Sequence, residues 1–296
     1  ANAADAYYVS KGTATMTIAA PAVVTLSTHG LVSGDYVKFT TAGALPTGLT
    51  AGTQYFVIYV DANTFKLATT YADAINGINP ITTSGTQSGT HTLYAGGTGA
   101  RLVLAKLIDS TGAYREELVQ LNGTTKVVSS IPLSFRCVGL EIVQYGSGGT
   151  GAGIIYCADT GDTWTSGVPQ TASKIFGEIL AGQTEDQGGH FTIPRGNVGR
   201  IRRFIASFPD ITTTAKYGYC ELQYRPPLAT SPNFVPGLAW KRYCILGVSS
   251  ASNMSPFFIE ETPETIPELS DIRIQYRQSA ACEVYAIAEI ELTPKV

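Results

Sequence analysis

The stretch 29–68, HGLVSGDYVKFTTAGALPTGLTAGTQYFVIYVDANTFKLA, decides how the fold is read. Three apolar runs, at 36–39, 55–60 and 65–68, are separated by Ser33-Gly34-Asp35, by the segment 43–52 and by Asp61-Ala62-Asn63. Short runs rich in Tyr, Val and Phe, bounded by Gly, Asp and Asn, are the pattern of strands and turns. Successive strand side chains alternate between faces, so Tyr55, Val57 and Tyr59 share one side and Phe56, Ile58 and Val60 the other. Both sets are apolar, and the strand is therefore expected to be covered on both faces. Asp61 to Thr64 supplies turn chemistry, because Asp and Asn bond to nearby backbone and tolerate left-handed conformations. The expectation is a compact antiparallel β module that carries no catalytic group.

Working outward, residues 1–10 read as a short extended arm, mobile or docked on a neighbour. Residues 13–26 alternate well enough for one or two strands broken at Pro21, and 71–74 suit one helical turn. Gly96-Gly97-Thr98-Gly99 reads as a linker. It divides an N-terminal β module (1–95) from a larger domain (102–296), with 96–101 between them.

In the second part, Asn122-Gly123 lies between the β-prone runs 116–121 and 124–129, the strongest short hairpin signal available. The run GSGGTGAG at 146–153 lacks the Lys-Ser/Thr ending of a phosphate loop, and a strand-like IIYCA follows it. It is read as a wide loop between strands. Further strands are expected at 217–224, stopped by Pro226-Pro227, at 240–248, at 271–277 and at 282–292. In the last, Val284, Ala286, Ala288 and Ile290 share a face. The fold class is all-β: the small antiparallel module followed by a β-sandwich of jelly-roll type.

Only 15% of the 296 residues are charged and the net charge is −3, which argues against direct nucleic-acid binding. No apolar run is long enough to span a bilayer, so membrane insertion is not expected. The start, ANAADAYYVSKG, lacks the basic and apolar regions of a secretion signal, which suits synthesis in the cytoplasm. The five cysteines, Cys137, Cys157, Cys220, Cys244 and Cys282, are far apart, and His29, His91 and His190 are isolated. No metal site and no cofactor is expected, and the thiols are read as buried apolar groups. One pair could oxidise outside the reducing cytosol.

Two surface features are candidate interfaces. Arg195, Arg200, Arg202 and Arg203 form a basic cluster, with Arg200 and Arg202 on one strand face and Ile201, Arg203 and Ile205 on the other. The cluster is read as pairing with Glu260, Glu261, Glu264 and Glu268, on this or a neighbouring subunit, rather than with an acidic partner, a glycan or DNA. Trp164, in the polar loop 159–173, is either an exposed binding residue or a cap folded back on the sheet. No catalytic residue is assigned: G-x-S-x-G is absent, and carboxylate pairs such as Glu116 with Glu117 or Glu178 with Glu185 occur in any β protein.

The blocks HGL, GD, V-x-F, GALPTGL, GT-x-Y and DANTFKLA, in that order, also carry a resemblance. Over about 7–94 the chain resembles a small β-rich module of tail-fibre and other virion proteins of tailed bacteriophages. LNGTT (121–125), the glycine loop before Ile154, ILAGQT (179–184) and FTIPRG (191–196) resemble structural proteins of marine and soil phages. The resemblance implies a non-enzymatic structural protein on the virion surface, as a tail fibre, spike or adaptor or a head fibre or decoration protein. Its implied partners are copies of itself, as a trimer or other homo-oligomer, other virion proteins, and a host surface glycan. The alternative is a virion-associated polysaccharide-degrading enzyme of the tailspike type.

Overall fold

The structure is a computed structural model that describes residues 2–131, 136–186, 190–207, 217–227, 240–249, 257–260, 265–278 and 285–295. It is all-β apart from two short helical pieces. Strands β1 (Val9–Met16), β2 (Val24–Thr25), β3 (Tyr36–Thr41), β4 (Tyr55–Tyr59), β5 (Thr64–Ala68) and β6 (His91–Ala95) close into an antiparallel barrel ordered β1-β2-β5-β4-β3-β6. Val37, Phe39, Val57, Phe65, Leu67 and Leu93 fill its interior, all fully buried. A register shift in β1 between Ser10 and Gly12, with Gly12 at φ 112°, gives the bend that closure requires.

The two apolar faces of β4 have two covers. Tyr55 and Val57 point into the barrel, while Phe56 and Ile58 lie with Ala68 under Ala74 of helix α1 (Tyr71–Asn76). The cover ends there, and Tyr59 and Val60 reach the surface. Helix α1 is capped at its start by Thr70, whose hydroxyl accepts from Asp73 N at 3.1 Å, and it ends at Gly77 in the left-handed region. Asp61 makes the expected turn: its carboxylate accepts from the amides of Asn63 and Thr64 and from the Thr64 hydroxyl, each at 2.8 Å.

The middle unit contains β7 (Ala100–Ile108) flanked by β8 (Tyr114–Gln120) and β9 (Arg136–Tyr145). Two strand pairs join it: β10 (Ile155–Ala158) with β13 (Ile175–Ile179), and β11 (Trp164–Thr165) with β12 (Val168–Pro169). Val103, Leu107, Leu140, Ile142, Ile155 and Ile179 form its core. The Asn122-Gly123 turn forms, with Thr125 N donating to Asn122 O at 3.0 Å, but no strand follows it up to residue 131. The N-terminal arm pairs at the turn itself. Ala6 pairs with Asn122, Tyr7 N donates to Leu121 O at 2.8 Å, and Gly123 N donates to Asp5 O at 2.9 Å.

The third unit has β14 (His190–Thr192), β15 (Asn197–Ser207), β16 (Tyr217–Arg225), β17 (Lys241–Ser249), β18 (Phe257–Glu260), β19 (Asp271–Gln278) and β20 (Tyr285–Pro294). One sheet is ordered β14-β19-β16-β17 and the other β18-β15-β20. They share a core of Ile193, Ile201, Phe204, Leu222, Leu246 and Ile272, with Ala286, Ala288 and Ile290 packed against it. An eight-stranded jelly roll places its second, seventh, fourth and fifth strands in one sheet, and its eighth, third and sixth beside the first in the other. Taken as strands two to eight, these seven have that arrangement. Among the described residues no strand lies on the outer edge of β20, where the first would pair. The stretch read as one sandwich over 102–296 thus carries two apolar clusters, and the jelly-roll order belongs to the second.

The glycines read as a linker are packed. Gly96, Gly97 and Gly99 are buried, and a Cβ on Gly97 would lie 2.1 Å from Ala4 O. Gly97 lets backbone approach backbone, and Gly96 and Gly99 leave room for the Arg101 and Asp5 side chains; Gly97 N and Gly99 N donate to Ala6 O and Ala4 O at 3.0 and 3.1 Å. At the centre of this joint is Asp5, 2% exposed. Its carboxylate accepts from Ala100 N at 2.8 Å, Ala152 N at 2.8 Å and Gly153 N at 2.9 Å. Asp5→Ala removes all three acceptor contacts and is expected to cost about 2 kcal/mol or more in urea unfolding. Asp5→Asn, which keeps one carbonyl acceptor, should cost measurably less; equal losses would refute the role given to the carboxylate.

Candidate functional site

Strand β15 carries most of the basic cluster, and a bulge decides how it is presented. The ladder with β20 runs Ile201↔Ile290 and then Arg203↔Glu289, so Arg202 is the inserted residue. An inserted residue changes the inside–outside phase. Ile201 is buried before it, and Phe204 and Ala206 are buried after it. The face assignment that grouped Ile201 with Arg203 and Ile205 is corrected accordingly.

Among the described residues, the carboxylates that pair with Arg202 and Arg203 come from β20. Arg202 Nη2 lies 2.7 Å from Glu291 Oε2, Arg203 Nη2 lies 3.2 Å from Glu289 Oε2, and Arg200 stands opposite Glu291 in the ladder. The Arg202 hydrogen bond holds the Glu291 carboxyl below its usual range. Of the partners expected from the sequence, Glu260 stands opposite Arg203 in the β18 ladder, and Glu261 and Glu264 lie outside the described residues. Glu268 accepts from Gly196 N at 2.6 Å, pairs with Lys295 at 2.9 Å and also feels the charge of Arg195. Arg195 turns away from the other arginines: its Nε donates to Thr111 O and its amide to Gly112 O, in the turn between β7 and β8. The outer face of β15 and β20 is therefore a charge-paired surface whose ion pairs are partly exposed. Pairs of this kind contribute little to stability and are available to set specificity at an interface.

Trp164 folds back rather than projecting. It is half-buried, its Nε1–H donates to Asp159 O at 3.4 Å, and it lines a cavity of about 510 Å³ in the middle unit with Val103, Leu140, Ile155 and Cys157. The loop is pinned by Asp162, which accepts from Thr171 N at 2.9 Å and from its hydroxyl at 2.8 Å. Glu116 and Glu117 are consecutive on β8 and so point to opposite faces. They cannot flank one glycosidic bond. Two histidines serve the barrel: His29 Nε2–H donates to Asp61 O at 2.9 Å, and His91 Nδ1 lies 2.8 Å from Thr41 Oγ1.

One polar centre had no signal in the sequence. Asp271, 4% exposed at the start of β19, accepts from Thr192 Oγ1 at 2.9 Å, from Arg136 Nη2 at 3.0 Å and from Arg225 Nη2 at 2.6 Å. Arg225 and Arg273 lie over the Trp240 ring, 4.6 and 4.0 Å from its centroid. Burial alone would raise the Asp271 carboxyl, but the hydrogen bonds and charge of Arg136 and Arg225, with Thr192, hold it below its ordinary value. Arg136 comes from the middle unit, so the cluster ties that unit to the sandwich beside a crevice of about 230 Å³. Positions 136 and 271 are 135 residues apart, and no spacing rule links them.

A carboxylate with a depressed folded pKa contributes stability above its unfolded value and loses that contribution as pH falls through the folded one. Asp271→Asn is thus expected to lower stability at pH 7 by about 3 kcal/mol, because two arginines lose their counter-charge. It should also flatten the decline of stability between pH 5 and about pH 3, measured by urea unfolding across that range. An unchanged acid limb would refute the assignment. No helix among the described residues is long and apolar enough to cross a membrane. No family model, no curated protein and no solved structure matches the chain.

Proposed function

We propose that this chain is a non-enzymatic structural protein on the surface of a tailed-phage particle, working through subunit interfaces and through loops that meet host glycans. The observation that carries this reading is the ordered set of blocks from HGL to DANTFKLA. Their residues have clear structural work: Asp61 and Thr64 close the turn into β5, His29 anchors to Asp61 O, and the GALPTGL loop bonds to 84 and 88. A motif that encodes a barrel's turns marks a reusable building module. Three packed units in series, with buried carboxylates at their joints, suit a rigid part of a larger assembly. The charge-paired face of β15 and β20 offers such an assembly a contact surface.

The full chain is expected to sediment as a homo-oligomer, and antibodies raised against it should label intact phage particles. The reading fails if the chain stays monomeric at high concentration, labels no particle, and releases reducing ends from bacterial polysaccharide. Turnover abolished by a single Glu→Gln change would establish the degrading enzyme in its place.

A further inference from the structure

Two cysteines of the middle unit face each other. Cys137 on β9 is buried and Cys157 on β10 is half-buried. Their strands share no ladder, but both pack against β13, where Gly177 stands opposite Cys157. The missing side chain of Gly177 makes room for the other thiol: a Cβ built there would lie 3.0 Å from Cys137 Sγ and 3.6 Å from Cys137 Cβ. Opposed residues of an antiparallel pair have Cβ atoms about 5 Å apart on one face. The space at Gly177 therefore brings Cys137 beside Cys157, while the Cys137 thiol donates to Gly139 O at 3.7 Å. The neighbouring Cys157 and burial push the Cys137 thiol up, and the neighbouring Cys137 pushes the Cys157 thiol down.

Cys220 and Cys244 make the contrast. In the sandwich they stand opposite Leu246 and Leu222, and burial pushes both thiols up to about 11. Cys282 lies outside the described residues. Cys137 and Cys157 both line the 510 Å³ cavity, which gives a small oxidant a route to them.

We propose that Cys137 and Cys157 form a cross-linking site: when the chain leaves a reducing compartment, they close a disulfide that ties β9 to β10. The oxidant is a small disulfide of the oxidised-glutathione class. The Cys157 thiolate attacks one oxidant sulfur, whose S–S bond breaks and releases one thiol after proton uptake. Cys137 then loses its proton and attacks Cys157 Sγ, breaking the mixed disulfide and releasing the second thiol. One protein S–S bond forms, one oxidant S–S bond breaks, and two electrons and two protons pass to the oxidant. The new bond closes a chain segment that contains the glycine-rich loop 146–153, and restricting that segment in the unfolded chain is the source of stabilisation. The site stands on the geometry of the middle unit and is independent of the proposed function.

The test uses the full chain, reduced and then incubated with oxidised glutathione. The expected result is a loss of two titratable thiols, a mass lower by two hydrogens, and a proteolytic fragment linking 137 to 157, with 220 and 244 unlinked. Tm should rise by about 5 °C or more and return on adding dithiothreitol. Cys157→Ser should abolish both the link and the Tm rise. The proposal is overturned if oxidation stops at a glutathione adduct on Cys157, if the link joins other cysteines, or if the folded chain keeps all its thiols while the urea-unfolded chain oxidises.

Discussion

The buried carboxylate of Asp5 receives the amides of Ala100, Ala152 and Gly153, and through it the arm, the first strand of the middle unit and the glycine-rich loop meet. A carboxylate out of water must be matched by donors, and backbone amides that converge on a concavity are such a set. The loop 146–153 does cradle an anion, as glycine-rich loops can, but the anion belongs to the chain itself. The same constraint explains the buried glycines of 96–99. A side chain on Gly97 or Gly99 would strike Ala4 O or the Asp5 carboxylate, and the arm could not deliver Asp5.

Asp271 repeats the logic at the next joint with side-chain donors. Arg136 reaches it from the middle unit and Arg225 from the sandwich, while Arg195 and Gly112 join the same two units nearby. Both joints bring together residues more than ninety positions apart. They form only once the units they connect exist, so assembly of the whole depends on long-range closure.

Local chemistry was legible in the sequence. The two apolar faces of 55–58, the turn at Asp61, the helical turn after Thr70 and the inward face of 286–290 all follow from alternation and turn propensity. The all-β class followed from the same signals, and the jelly-roll order agrees for the last unit. What could not be read was non-local. The arm pairs with 121–123, while Ser129 and Ser130 reach β8 only through the Glu117 carboxylate, and no propensity encodes either contact. The Gly96–Gly99 composition suits a flexible linker and a tight joint equally, and only the position of Ala4 and Asp5 separates them. The bulge at Arg202 reversed the phase of β15, and among the described residues Arg202 and Arg203 pair with Glu291 and Glu289 of the neighbouring strand, a register that no spacing rule gives. Asp271 looked like an ordinary strand-opening residue because its partners lie far off.

The edge of β20 has a consequence of its own. Among the described residues no strand pairs with its outer side, so alternate residues along it turn amides and carbonyls outward, which is the template on which strands of foreign chains can grow. Glu289 and Glu291 lie along that row and Pro294 closes it. A second β20 laid antiparallel near its middle would bring these acids toward their own counterparts. Arg202 and Arg203 already answer these acids from β15, so what blunts this border is Pro294, which has no amide to donate.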